Sequence, residues 1–137
     1  MNKQATTLMG EDVIVGFTVT NKGEGRKFIA HSAGGIVEQM AAQPGTNTQT
    51  PDGHIGPMYI AVGATKVAFF AVKQGFFSNS IKALLVEYPY QAVQAVAIKR
   101  EFIPKITWAF TDGVVYEFEL GKRDLKKAEQ AKQTLNV

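Results

Sequence analysis

I-T-W-A-F-T-D-G-V-V-Y-E-F-E-L, running from Ile106 to Leu120, sets two alternating apolar arms on either side of Asp112-Gly113. Successive side chains of a strand point to opposite faces. Ile106, Trp108 and Phe110 therefore share one side of the first arm, and Val114, Tyr116, Phe118 and Leu120 one side of the second. Asp-Gly supplies the positive φ angles of a tight turn. The segment reads as an antiparallel hairpin whose seven apolar residues enter the core, with Glu117 and Glu119 pointing outward.

The same pattern continues upstream. Met58 to Val62, Lys66 to Val72, Ile81 to Tyr88, Ala92 to Lys99, Lys105 to Phe110 and Val114 to Leu120 read as strands, and their mostly short connections favour antiparallel neighbours. V-I-V-G-F-T-V-T, Val13 to Thr20, adds a first strand with Val13, Val15, Phe17 and Val19 on one face. After a glycine-bearing turn at Asn21 to Gly25, apolar residues recur at three- and four-residue steps from Phe28 to Met40. This predicts helix over Arg26 to Ala42, in one piece or two, because Gly34-Gly35 costs about 1 kcal/mol per glycine there.

Gln43 to Gly56 holds two prolines and three glycines without an apolar period, and is expected to be an exposed loop. Met1 to Gly10 is expected to be flexible. Beyond Gly121 the period becomes helical again, with Asp124 as N-cap and a narrow stripe of Leu125, Ala128, Ala131 and Leu135 suited to covering the open end of a sheet. The expected fold is mainly β: a single domain over 1–137, an antiparallel β-roll of about seven strands with a C-terminal capping helix and an inserted helix after the first strand.

A chain of 137 residues can bury roughly two thirds of its unfolded surface without staples. With 45% hydrophobic and 20% charged residues it is too apolar for intrinsic disorder. Cysteine is absent, which removes disulfides, cysteine-ligated zinc and thiol nucleophiles. The net charge of +3 is too small to imply nucleic acid without a localised patch. No stretch of about 18 apolar residues occurs, nor an apolar run behind Lys3, so a cytoplasmic location is expected.

Four pieces in order carry a resemblance: Y-I-A-V-G-A-T-K-V-A-F-F, L-L-V-E-Y-P-Y-Q-A-V-Q-A-V-A-I-K, the Asp-Gly hairpin, and the helix A-E-Q-A-K-Q-T-L. From Tyr59 to Leu135 the chain resembles bacterial pleckstrin-homology-like (PH-like) families of small proteins. The resemblance implies a PH-like roll that binds or assembles without catalysis, and it brings no ligand with it. The basic K-x-n-R-x-R loop of phosphoinositide-binding PH domains is not evident. Lys22, Arg26 and Lys27 stand in its place, a candidate anion surface if a helix begins there.

Catalytic constellations do not assemble in the sequence. Ala30-His31-Ser32-Ala33-Gly34 matches an A-x-S-x-G elbow but falls within a helical pattern, without the strand, histidine and acid that a Ser32 nucleophile requires. Gly23-Glu24-Gly25 lacks the third glycine and the βαβ unit of a dinucleotide site. Asp52, His54 and His31 follow no metal-ligand spacing. Carboxylates occur singly rather than as a pair with separated pKa values. No enzyme activity, cofactor or metal is expected.

Two surfaces remain. In K-Q-G-F-F-S-N-S-I-K, Phe76 and Phe77 lie adjacent in a hairpin connection flanked by Lys73 and Lys82. They suit insertion at an anionic bilayer interface, contact with a partner or second subunit, or internal packing. Lys122, Arg123, Lys126, Lys127 and Lys132 make the last helix basic on one side, without the aromatics that stack bases, so nucleic acid is not an expected partner. The leading expectation is a protein-binding or self-associating module using exposed sheet edges, forming a homo-oligomer or holding an unidentified protein partner. The alternative is peripheral binding to anionic lipid.

Overall fold

A computed structural model of the chain describes residues 1–21 and 48–137. The helix expected over Arg26 to Ala42, and with it Ser32, His31 and the group Lys22, Arg26 and Lys27, lies outside the described residues. The elements are α1 (Asn2–Met9), β1 (Val15–Asn21), β2 (Thr48–Gln49), β3 (Gly56–Val62), β4 (Lys66–Gln74), β5 (Asn79–Pro89), β6 (Val93–Lys99), β7 (Lys105–Phe110), β8 (Val115–Leu120) and α2 (Leu125–Leu135).

Among the described residues these strands form one open sheet, in the order β5-β4-β3-β1-β8-β7-β6, with every pairing along that path antiparallel. Each half of the path, β1-β3-β4-β5 and β6-β7-β8, runs in chain order, and the two halves join at β1 and β8, where Val19 and Thr20 face Leu120 and Glu119. The fold is the mainly β roll with a C-terminal helix that the strand pattern implies. Thr48-Gln49, expected within a loop, instead pairs in parallel with Val115-Tyr116 of β8.

One continuous core fills the inner face. Phe17, Met58, Ile60, Val62, Val67, Phe69, Ile106, Trp108, Phe110 and Phe118 are almost wholly buried there. Phe69 of β4 meets Trp108 at 5.4 Å and Tyr116 at 5.3 Å, both edge-on, so a side chain from one half of the sheet seats against the other half. Aromatic edge contacts add about 0.5–1.5 kcal/mol each beyond their buried area. Buried Ala128, Ala131 and Leu135 place the α2 stripe on this core, and Leu125 is half-buried beside it. Small alanines let the helix approach closely.

β3 and β4 are buried on both faces, and this reverses the expectation for the N-terminus. Residues Asn2–Met9 are helical rather than flexible, ending at Gly10 in a left-handed conformation. Ala5 and Met9 sit four residues apart on one side of α1, and pack with Tyr59, Ala61, Ala68, Phe70, Val72 and Ile81 on the outer face. The physical reason is visible in Y-I-A-V and V-A-F-F-A-V, runs too continuous for a strand with one face in water. Val13, assigned by alternation to the face of Val15, packs with this outer cluster because regular pairing starts only at Val15.

The decisive hairpin needs three amendments. Only Gly113 has positive φ (89°), so the loop is the three residues Thr111-Asp112-Gly113, closed by Phe110 N–H donating to Val114 O at 3.0 Å. A type I turn followed by a left-handed glycine gives this geometry. Trp108 faces Tyr116 and Ile106 faces Phe118, which puts both arms on one face; six of the seven predicted core residues are buried, and Val114 is half-buried. Glu117 and Glu119 do alternate away from that core, yet they are only 3% and 9% exposed. The outer face of β7 and β8 is covered, and neither carboxylate is without a partner. Asp124 occupies the N-cap of α2 but makes no side-chain capping bond, because its own backbone is already helical after a 3-10 turn over Lys122–Asp124.

Glu11 ties α1 to the sheet. Its carboxylate accepts Thr65 N–H at 2.9 Å, the Thr65 hydroxyl at 2.7 Å and Lys66 N–H at 3.2 Å, all in the β3–β4 turn. These hydrogen bonds to Thr65 hold its pKa below the ordinary 4.5. A depressed carboxylate contributes stability above the unfolded value, and loses it as pH falls through the folded one. Glu11→Gln is expected to lower the urea midpoint at pH 7 by the equivalent of about 1 kcal/mol after solvent screening, and the two proteins should converge near pH 3. Phe69→Ala, which empties the contact between the two halves, is expected to cost about 3–5 kcal/mol in the same assay.

Candidate functional site

The β4–β5 connection, Gly75 to Ser78, is a four-residue loop closed by the Gln74–Asn79 pair. A Cβ on Gly75 would run into the carbonyl of Ser78, so the tightness of the loop requires glycine there. With the backbone folded this closely, neither phenylalanine can turn back to the core. Phe76 and Phe77 are 96% and 95% exposed, their rings edge-on to one another at 4.9 Å. Internal packing, one of the three readings open from sequence, does not occur. Lys73 and Lys82 are exposed on the two strands leading into the tip, together with Gln74, Ser78 and Asn79.

Lys73, Phe76, Phe77 and Lys82 all lie exposed on this one hairpin, the rings at its tip and the lysines on the strands leading to it. Such a tip can enter an apolar medium or fill a pocket on a partner.

A second exposed aromatic went unnoticed in the sequence. Phe102, in the β6–β7 connection, is 88% exposed beside half-exposed Ile103, and the Lys122 ammonium lies 5.5 Å from its ring centre. An aromatic in the charged stretch K-R-E-F-I-P-K was the signal available. Glu101 there accepts from Lys105 at 2.6 Å, which lowers its pKa.

The sheet edges are less open than the strand pattern implies. Lys82 and Leu85 of β5 have no partner in the β4 register, and Gln94 of β6 none in that of β7, so both outer strands are irregular. Irregular edges resist addition of another strand. Gln4 of α1 also accepts the Ile81 N–H at 3.0 Å, and Lys132 of α2 donates to Val96 O at 2.5 Å on the other edge.

Asp52 and His54 sit by the short turn Pro51–Gly53, where His54 Nε2 lies 3.3 Å from Pro57 O, and no trio of ligating side chains converges among the described residues. Burial pushes up the Tyr88 and Tyr116 hydroxyls. Tyr88 stacks on Phe110 at 3.9 Å and donates to Asp112, closing the roll rather than lining a site. No helix of the described residues is long and apolar enough to cross a membrane. No protein-family model matches the chain, and no curated protein matches it by sequence.

Gly75→Ala should force the tip to rearrange. Amide chemical-shift changes are expected to be confined to residues 73–80, with a stability loss of about 1 kcal/mol by urea unfolding.

Proposed function

We propose that this protein is a non-catalytic binding module on a PH-like roll, and that it docks peripherally on anionic membrane surfaces through the Phe76-Phe77 tip. The observation that carries the reading is the nearly complete exposure of two adjacent phenylalanines on a tight convex loop, with Lys73 and Lys82 behind them. Two such rings offer roughly 300–500 Å² of contact, whereas a stable protein interface takes about 800 Å² from each partner. The rest of the tip is polar. A bilayer interface needs no complementary shape, and accepts the rings while lysines meet its surface charge.

Docking to a second copy or another protein is the competing reading, and it draws on the same rings and on Phe102 with Ile103. Strand addition, its expected chemistry, meets the irregular and partly occupied edges of β5 and β6. Flotation with neutral and anionic liposomes, at low and physiological salt, tests both. Binding is expected only to anionic vesicles, weakened by salt, and reduced more than about tenfold in the Phe76→Ser/Phe77→Ser variant. Absence of flotation at either salt, with a light-scattering mass above that of one chain, would replace it by self-association.

A further inference from the structure

Beside the tip lies a polar cleft, between the start of α1, the outer face of β1 and the start of α2. It encloses about 610 Å³, within the range of small-ligand sites. Arg123 and Lys127, four residues apart in the 3-10 turn before α2 and in its first turn, line it with Asp124, Asn2, Asn79 and Thr18. Asn79 follows Phe77 by two residues, so the cleft opens next to the loop that carries the rings.

The floor is constructed. Tyr59 donates its hydroxyl to Asn2 Oδ1 across Gly16, where any Cβ would overlap both groups. Burial raises the Tyr59 hydroxyl to about 12, so it stays a donor at neutral pH. With its carbonyl oxygen turned to Tyr59, Asn2 keeps its two amide N–H groups to present. Among the described residues Arg123, Lys127 and Asp124 form no ion pair. Guanidinium, ammonium and amide donors complement a phosphate, which has acceptors only. Asp124 opposes a bare anion, but accepts from a hydroxyl or ammonium carried next to it.

Resting on the membrane reading above, we infer that this cleft binds a phosphate bearing an adjacent hydroxyl or ammonium group, as in the glycerol or ethanolamine headgroup of a phospholipid. The tip would then anchor the protein while the cleft selects among headgroups. A free phosphorylated polyol offers the same chemistry, and the two sources are separable.

Four proteins decide it: the unaltered chain, Arg123→Gln/Lys127→Gln, Asp124→Asn and Phe76→Ser/Phe77→Ser, each checked for an unchanged thermal midpoint. Glycerol 3-phosphate, phosphoethanolamine and inorganic phosphate are titrated by amide NMR, and anionic vesicles are floated in parallel. Saturable shifts at residues 16–18 and 123–127 are expected with glycerol 3-phosphate in the unaltered and Phe-substituted proteins, at least tenfold weaker in Arg123→Gln/Lys127→Gln. Asp124→Asn should narrow the preference for glycerol 3-phosphate over inorganic phosphate. Reduced flotation of Arg123→Gln/Lys127→Gln supports a lipid source. Shifts without flotation of any protein keep the cleft as a site for a free phosphate ester and remove the membrane reading. Shifts absent or located elsewhere, with Arg123→Gln/Lys127→Gln floating normally, overturn the cleft and leave the tip standing.

Discussion

The structure depends on the contact of Phe69 with Trp108 and Tyr116. These rings come from strands far apart in the sheet order, so their packing bends the sheet into a roll instead of leaving it flat. Tyr88 stacked on Phe110 closes the same side, and Ala128, Ala131 and Leu135 fill the open end. An open sheet of this size has to bury one face on itself or on helices, and here it uses both.

The opposite face is managed differently along the sheet. α1 covers β3 and β4, with Glu11 fastening its connection to the β3–β4 turn. Covering that face lets Phe70 and Val72 be buried opposite Phe69, and it brings Gln4 onto the outer edge of β5. Removing α1 would therefore both expose an apolar patch and free an edge N–H. The same helix places Asn2 against Tyr59, which ties the architecture of the outer face to the polar cleft.

Against this well-covered body, Phe76 and Phe77 stand apart. Leu84 and Ile14 are only partly in water, and Phe102 and Ile55, though largely exposed, have no second fully exposed ring beside them. Keeping two adjacent rings fully in solvent on a loop tightened by Gly75 is costly unless something receives them. This contrast, more than the fold, points to the tip as the working surface. The roll holds it at the end of the two-stranded β4–β5 stem.

By itself the sequence determined the seven strands of the antiparallel path, though not the short β2, together with the closing helix and the inner core, because period-2 alternation and the α2 stripe are local properties of the chain. It also marked Lys73, Phe76, Phe77 and Lys82 as a unit. Tertiary structure decided what local pattern cannot encode: that α1 is ordered, that Glu117 and Glu119 are buried, and that both edges are irregular. In each case the deciding partner lies far away in sequence, as Gln4 does from Ile81, and alternation tells which side of a strand a residue faces but not what covers that side. The exposure of the two phenylalanines belongs to this second group, since only the folded loop shows that they have no route back to the core. So does the cleft, where residues from both ends of the chain meet.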